Sequence, residues 1–169
     1  MLKSKRLLFC IALFILVFSS FGGGEATAAP QKVILGKISV QHVEFQPNLY
    51  SHTYTLNNSK LFLQTGTNQG FYARVPFPNG KVSKRLKAFF TDQHASSNGC
   101  ITPYSFDVVT QVANQLSPTV CTTGSPATVQ TIIASTGGLI PNARKGIFAF
   151  VLLGNVDIDF HGLLAFFVN

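Results

Sequence analysis

The chain has 169 residues, with 13 Lys and Arg against 6 Asp and Glu, a formal charge of +7, no Trp and 16 Phe. A basic excess of this size favours anionic surfaces or polysaccharides, but it falls well short of a dedicated nucleic-acid binder. Charged residues make up only 11% of the chain, so most of it is apolar or neutral polar.

The first 28 residues read as a secretory signal peptide. Lys3, Lys5 and Arg6 precede an apolar run from Leu7 to Phe21, and Ala26-Thr27-Ala28 follows as a small-residue cleavage site. Cleavage after Ala28 removes three basic residues and Glu25, leaving a mature chain of charge +5. Cys10 lies inside the apolar run and leaves with it. Residues 29–169 then hold two cysteines, Cys100 and Cys121, in a chain bound for an oxidising compartment, where a disulfide between them is expected. The address is secreted or periplasmic. No later apolar stretch reaches the roughly 18 residues that a membrane-crossing helix needs, so no transmembrane segment is expected after signal removal.

Residues 29–169 read as a single all-β domain. Helix periodicity is absent, and Thr, Asn, Gly and β-branched residues abound. Ile38 and Val40 alternate with polar neighbours. The phase then slips so that Val43 and Phe45 are expected inward, which suggests a bulge near His42. Leu61-Phe62-Leu63 is a short strand, and Phe71, Ala73 and Val75 alternate until Pro76. Leu86, Ala88 and Phe90 alternate with Arg85, Lys87 and Phe89, and Tyr104, Phe106 and Val108 with Ser105, Asp107 and Val109. Val129–Ile133 is another candidate strand. Ile147–Leu153 is nearly continuous in apolar residues, as expected for a central strand covered on both faces. Val156, Ile158 and Phe160 alternate with Asp157, Asp159 and His161 ahead of Gly162. Turn signals such as Pro78-Asn79-Gly80 and Ser97-Asn98-Gly99 separate these runs. About eight short strands without intervening helices indicate an antiparallel β-sandwich with one disulfide.

The order of these features resembles a bacterial secreted β-sandwich module of jelly-roll type, of unsettled function. The resemblance is carried by Phe45-Gln46-Pro47, by the Ala73–Gly80 strand and turn, by Phe89–Ser96 with its Asp92-x-x-Ala95-Ser96 element, and by Phe148-Ala149-Phe150-Val151 before Gly162. It implies a fold rather than an activity.

Three groups of residues are candidates for chemistry. Asp157, Asp159 and His161 alternate on one strand and offer oxygen and imidazole ligands to a divalent cation. That is the basis of an alternative reading as a metal-assisted or acid–base hydrolase. Their nearly 7 Å spacing on a straight strand keeps them from converging, and a solvated strand face is the expected reading. Asp92 and His94 form a second pair, in which Asp92 is expected to order the loop through backbone hydrogen bonds. Arg85 and Lys87 share a strand face beside Lys81 and Lys84 and could dock anionic groups. Without interleaved aromatics their default role is edge-strand protection.

Tyr50, Tyr54, Tyr72 and Phe89 fall off the expected inward face or in loops, where rings stack on sugars or bury between subunits. Tyr72, Phe89, Arg85 and Lys87 are therefore the ligand-binding candidates. No catalytic signature is present and no cofactor is implied. The expected function is a non-enzymatic module acting by surface binding of a glycan or anionic envelope ligand, or by self-association as a dimer or trimer.

Overall fold

The computed structural model describes residues 35–48, 53–57, 59–124 and 127–168. Residues 1–28, the expected signal peptide, and Tyr50 lie outside the described residues. Twelve strands follow in chain order: β1 (Leu35–Gln41), β2 (Gln46–Pro47), β3 (Tyr54–Leu56), β4 (Leu61–Leu63), β5 (Gln69–Val75), β6 (Val82–Asp92), β7 (Gly99–Asp107), β8 (Val112–Gln115), β9 (Val120–Cys121), β10 (Val129–Ser135), β11 (Lys145–Leu153) and β12 (Ile158–Val168). Every pairing between them is antiparallel. Where about eight strands were expected, the additional ones are pieces of two to four residues (β2, β3, β8 and β9), too short for alternation to announce.

The strands form two six-stranded sheets. One runs β10-β6-β12-β4-β3, with β1 also paired to β12; the other runs β2-β5-β11-β7-β8, with β9 paired to β7. They are called here the β12 sheet and the β11 sheet, after their central strands. Between them lies a core of buried aliphatic and aromatic side chains, including Leu86, Ala88 and Phe160 from one sheet and Phe71, Ile147 and Val151 from the other. Phe160 is its hub. Its ring meets Phe45 edge-on at 4.8 Å and Phe90 at 5.1 Å between centroids.

The chain alternates as its sequence suggests over β1, β4, β5 and β6, and Cys100 and Cys121 are joined across the β7–β9 pair. Four expectations need correction. The slip after β1 is a 3-10 turn over His42–Glu44, which buries His42 and leaves Val43 52% exposed while Phe45 enters the core. A bulge lies instead in β12, where His161 is the extra residue against β6 and Gly162 adopts φ +122°. A side chain at Gly162 would meet both that strained φ and the Val40 carbonyl oxygen at 3.1 Å.

Strand β6, which carries Arg85 and Lys87, is not an edge strand: β10 and β12 flank it. Strand β11 is central as expected, but the described residues cover it on one face only, with Ile147, Ala149, Val151 and Leu153 buried and Phe148, Phe150 and Leu152 half-buried on the other side. Among the described residues, no helix is long and apolar enough to cross a membrane.

Candidate functional site

The open face of the β11 sheet collects aromatic rings from three neighbouring strands. Register places Tyr72 of β5 opposite Phe150 of β11, and Phe148 opposite Tyr104 of β7. Phe106 lies one step further along β7, opposite Gly146. Paired residues point to the same side of a sheet, so these five side chains share one surface. Tyr104 meets Phe150 edge-on at 6.5 Å, and Phe106 meets Phe148 at 5.9 Å. With Ala113 of β8 they line a shallow apolar groove of about 360 Å³.

The central strand of the groove segregates its residues by size: Ile147, Ala149 and Val151 of β11 face the space between the sheets, and the rings of Phe148 and Phe150 are left on the outside. Gly70 of β5 lies beneath one of its rings. A Cβ there would sit 2.3 Å from the Phe150 ring, so the ring lies directly over the glycine. Gly70→Ala is therefore expected to lift Phe150 while the fold persists, because the clashing atoms belong to a side chain at the surface. A crystal structure of the variant checks the displacement, and an unmoved ring would show that Gly70 does not set its position.

Polar groups rim the groove. Gln46 stands opposite Tyr72, and Gln115 opposite Tyr104. Arg74 and Arg144 line a continuation past Phe106 and Phe148. Arg144 is fixed there by Asp107: its Nε donates to both carboxylate oxygens at 2.9 Å, while the backbone N–H groups of Val109 and Thr110 donate to Oδ1. The Arg144 hydrogen bond, reinforced by those two N–H donors and opposed by burial, lowers the Asp107 pKa from 3.8 to about 2. A depressed carboxylate stabilises the folded state above its unfolded pKa and loses that contribution as pH falls through its folded value. The stability gap between wild type and Asp107→Asn should thus be constant above pH 3.8 and close as pH approaches about 2. Urea midpoints across that range test it, and a gap unchanged at pH 2 would refute the linkage.

The sequence-derived candidates do not assemble into one site. Tyr72 lies on the aromatic face and is 44% exposed. Phe89, Arg85 and Lys87 lie on the outer face of the β12 sheet, on the opposite side of the sandwich. Tyr54 is a core-packing residue, edge-on to Phe71 at 5.2 Å. Tyr104, Phe106, Phe148 and Phe150 are the residues that sequence reasoning missed: Phe148 and Phe150 lie in a strand expected to be covered on both faces, and Tyr104 and Phe106 carry no role in the sequence reading. The available signal was the strict alternation of rings with small or aliphatic residues in Lys145–Leu153.

Asp157, Asp159 and His161 do not converge either. Asp157 is exposed in the turn before β12. Asp159 receives the Lys60 ammonium at 2.7 Å. The His161 ring is engaged by Thr91 Oγ1 at 2.9 Å and faces the Ser59 carbonyl at 3.3 Å. Among the described residues, no three His, Cys, Asp or Glu side chains are grouped to hold a metal ion. Asp92 is fully buried and orders its loop: it accepts the His94 backbone N–H at 3.1 Å and the Thr122 hydroxyl. His94 Nδ1 in turn accepts the N–H groups of Ser96 and Ser97.

No protein-family model and no curated protein sequence matches this chain. Among solved structures it is similar to the CBM22-1–GH10 modules of endo-1,4-β-D-xylanase 10B from Clostridium thermocellum, in complex with xylohexaose, with TM-score 0.52 and 12% identity over 81% of this chain. The match spans only 28% of the xylanase chain. It is also similar to a xylan-binding module, CBM15, with TM-score 0.52 and 12% identity over 79% of this chain and 96% of that one. The likeness is one of fold. The β-sandwich resemblance read from the sequence holds at that level, and its structural neighbours are carbohydrate-binding modules.

Proposed function

We propose that this chain is a secreted, non-enzymatic binding module that lays a glycan chain across the open face of the β11 sheet. The observation that carries the reading is the set of five rings, Tyr72, Tyr104, Phe106, Phe148 and Phe150, held on one rigid surface. The C–H faces of sugar rings are apolar and pack on aromatic side chains, while their hydroxyls need donors and acceptors at the margin. Gln46, Gln115, Arg74 and Arg144 supply these along the groove. The shallow form suits a polymer passing across it better than a small molecule enclosed within it. The fold likeness to xylan-binding modules supports the same reading, and the signal-like leader supports an extracytoplasmic setting where such polymers occur.

Affinity electrophoresis and calorimetry against soluble xylan, mannan and mixed-linkage glucan test the proposal. At least one polymer should bind, and Tyr72→Ala or Phe148→Ala should weaken it by about 30-fold, the order of a 2 kcal/mol hot spot. A second reading, burial of the same apolar face between subunits, is favoured by its lack of charge. A dimer or trimer in light scattering that Phe148→Ala dissociates, with none of the polymers bound, would replace the first reading by the second.

A further inference from the structure

The outer face of the β12 sheet carries a different chemistry. Arg85 and Lys87 of β6 point to it, and Lys37 of β1 stands opposite Phe166 on the same side. Lys84 is the extra residue of a register shift beside Arg85, and Lys60 reaches over Phe62 of β4. Against these five cations, the outward positions of the sheet's strands present one carboxylate among the described residues, Asp159, already occupied by Lys60. Arg85 and Lys87 make no ion pair among the described residues.

Protection of an exposed edge does not account for them, because β6 is an internal strand. Three of the cations lie over rings: Arg85 over Phe166 at 4.9 Å, Lys87 over Phe89 at 5.3 Å and Lys60 over Phe62 at 4.8 Å. Such stacking restrains long side chains along the sheet and lowers the entropy a ligand must remove.

We infer that this face is a second binding surface, for an acidic polysaccharide. It combines the two requirements of that ligand: cations for repeated carboxylates and half-buried rings for the sugar faces between them. The spacing suits a polymer, since Arg85 and Lys87 are about 7 Å apart along the strand and Lys37 stands about 10 Å away across two strands. A chain of regularly spaced charges engages several of these at once, so that weak contacts add by avidity. A second copy of the protein is disfavoured on this face, because it would bring the same excess of positive charge against it. The inference is independent of the glycan reading of the β11 sheet.

Binding of the purified protein to polygalacturonate, measured by affinity electrophoresis, is the test. The same polymer with its carboxyls fully methyl-esterified, poly-glutamate, and phosphatidylglycerol vesicles serve as comparisons. The expected result is binding to polygalacturonate that weakens at least tenfold in Arg85→Gln/Lys87→Gln and in Phe89→Ala, falls steeply with salt, and is lost on esterification. Lys37→Gln should weaken it to a smaller degree, and Tyr72→Ala should leave it unchanged. Circular dichroism confirms that each variant is folded. Three results would overturn the inference: no binding, binding to the vesicles alone, or equal binding to poly-glutamate that ignores Phe89→Ala. Loss in Tyr72→Ala would also overturn it, by returning the ligand to the β11 face.

Discussion

Phe160→Ala is expected to destabilise the protein by about 3–5 kcal/mol, a large part of the 5–15 kcal/mol by which a typical domain is stable. Phe160 is fully buried at the centre of the β12 sheet and bridges Phe45, from the segment after β1, to Phe90 of β6. Its removal leaves a cavity that two T-shaped or tilted neighbours and the stiff sheet around them cannot collapse into. Phe166, on the opposite face of the same strand, is only half-buried. Phe166→Ala should therefore cost about 1 kcal/mol or less, as for substitutions away from the core. Urea unfolding of the two variants measures the difference. Equal losses would mean that the space between the sheets is not the seat of stability.

Removing the cross-link in Cys100→Ala/Cys121→Ala should cost about 3 kcal/mol, the chain-entropy value for a loop closed over a separation of 21 residues. The loss should be uneven across the structure. The segment inside the loop includes β8, whose four residues are all exposed, and the two-residue β9, so few other contacts hold it. Next to the cross-link, the Thr122 N–H donates to the Gly99 carbonyl, and the Thr122 hydroxyl accepts the Gly99 N–H and donates to Asp92, so this end stays anchored. Hydrogen exchange should accelerate most at the amides of Val112–Gln115, and Ala113 would carry one wall of the aromatic groove away with it. Uniform acceleration over the whole molecule would show that the disulfide stabilises only globally.

The architecture was legible because each long strand has one buried and one less buried side, and period-two alternation records that difference. The disulfide was legible because only two cysteines, Cys100 and Cys121, lie beyond Cys10 in the expected leader. The candidate site was read in part, through Tyr72 alone. Alternation identifies two faces but does not say which one is inside when both are apolar. In Lys145–Leu153 both phases are hydrophobic, and the rings are the more hydrophobic by size. The structure puts the smaller Ile147, Ala149 and Val151 inside because facing sheets leave too little room for a ring at every position. In β7 the buried side is set by Ile101 and Pro103, which places Tyr104 and Phe106 outward.

Local pattern was equally blind to sheet order. Whether Arg85 and Lys87 guard an edge or sit in mid-sheet depends on β10 and β12, strands distant in sequence. The two-residue β2 and β9 exist only because a longer partner lies beside them.

The last two described strands, β11 and β12, are the middle strands of the two sheets. During vectorial synthesis, β1, β4 and β6 wait for β12, while β5 and β7 wait for β11. Neither sheet can close while its centre is still inside the ribosome. The nascent chain therefore stays open until β11 and β12 have left the ribosome. The same arrangement makes shortening at the C-terminal side severe: a chain ending before Ile158 keeps most of its residues and loses the strand to which β1, β4 and β6 all pair.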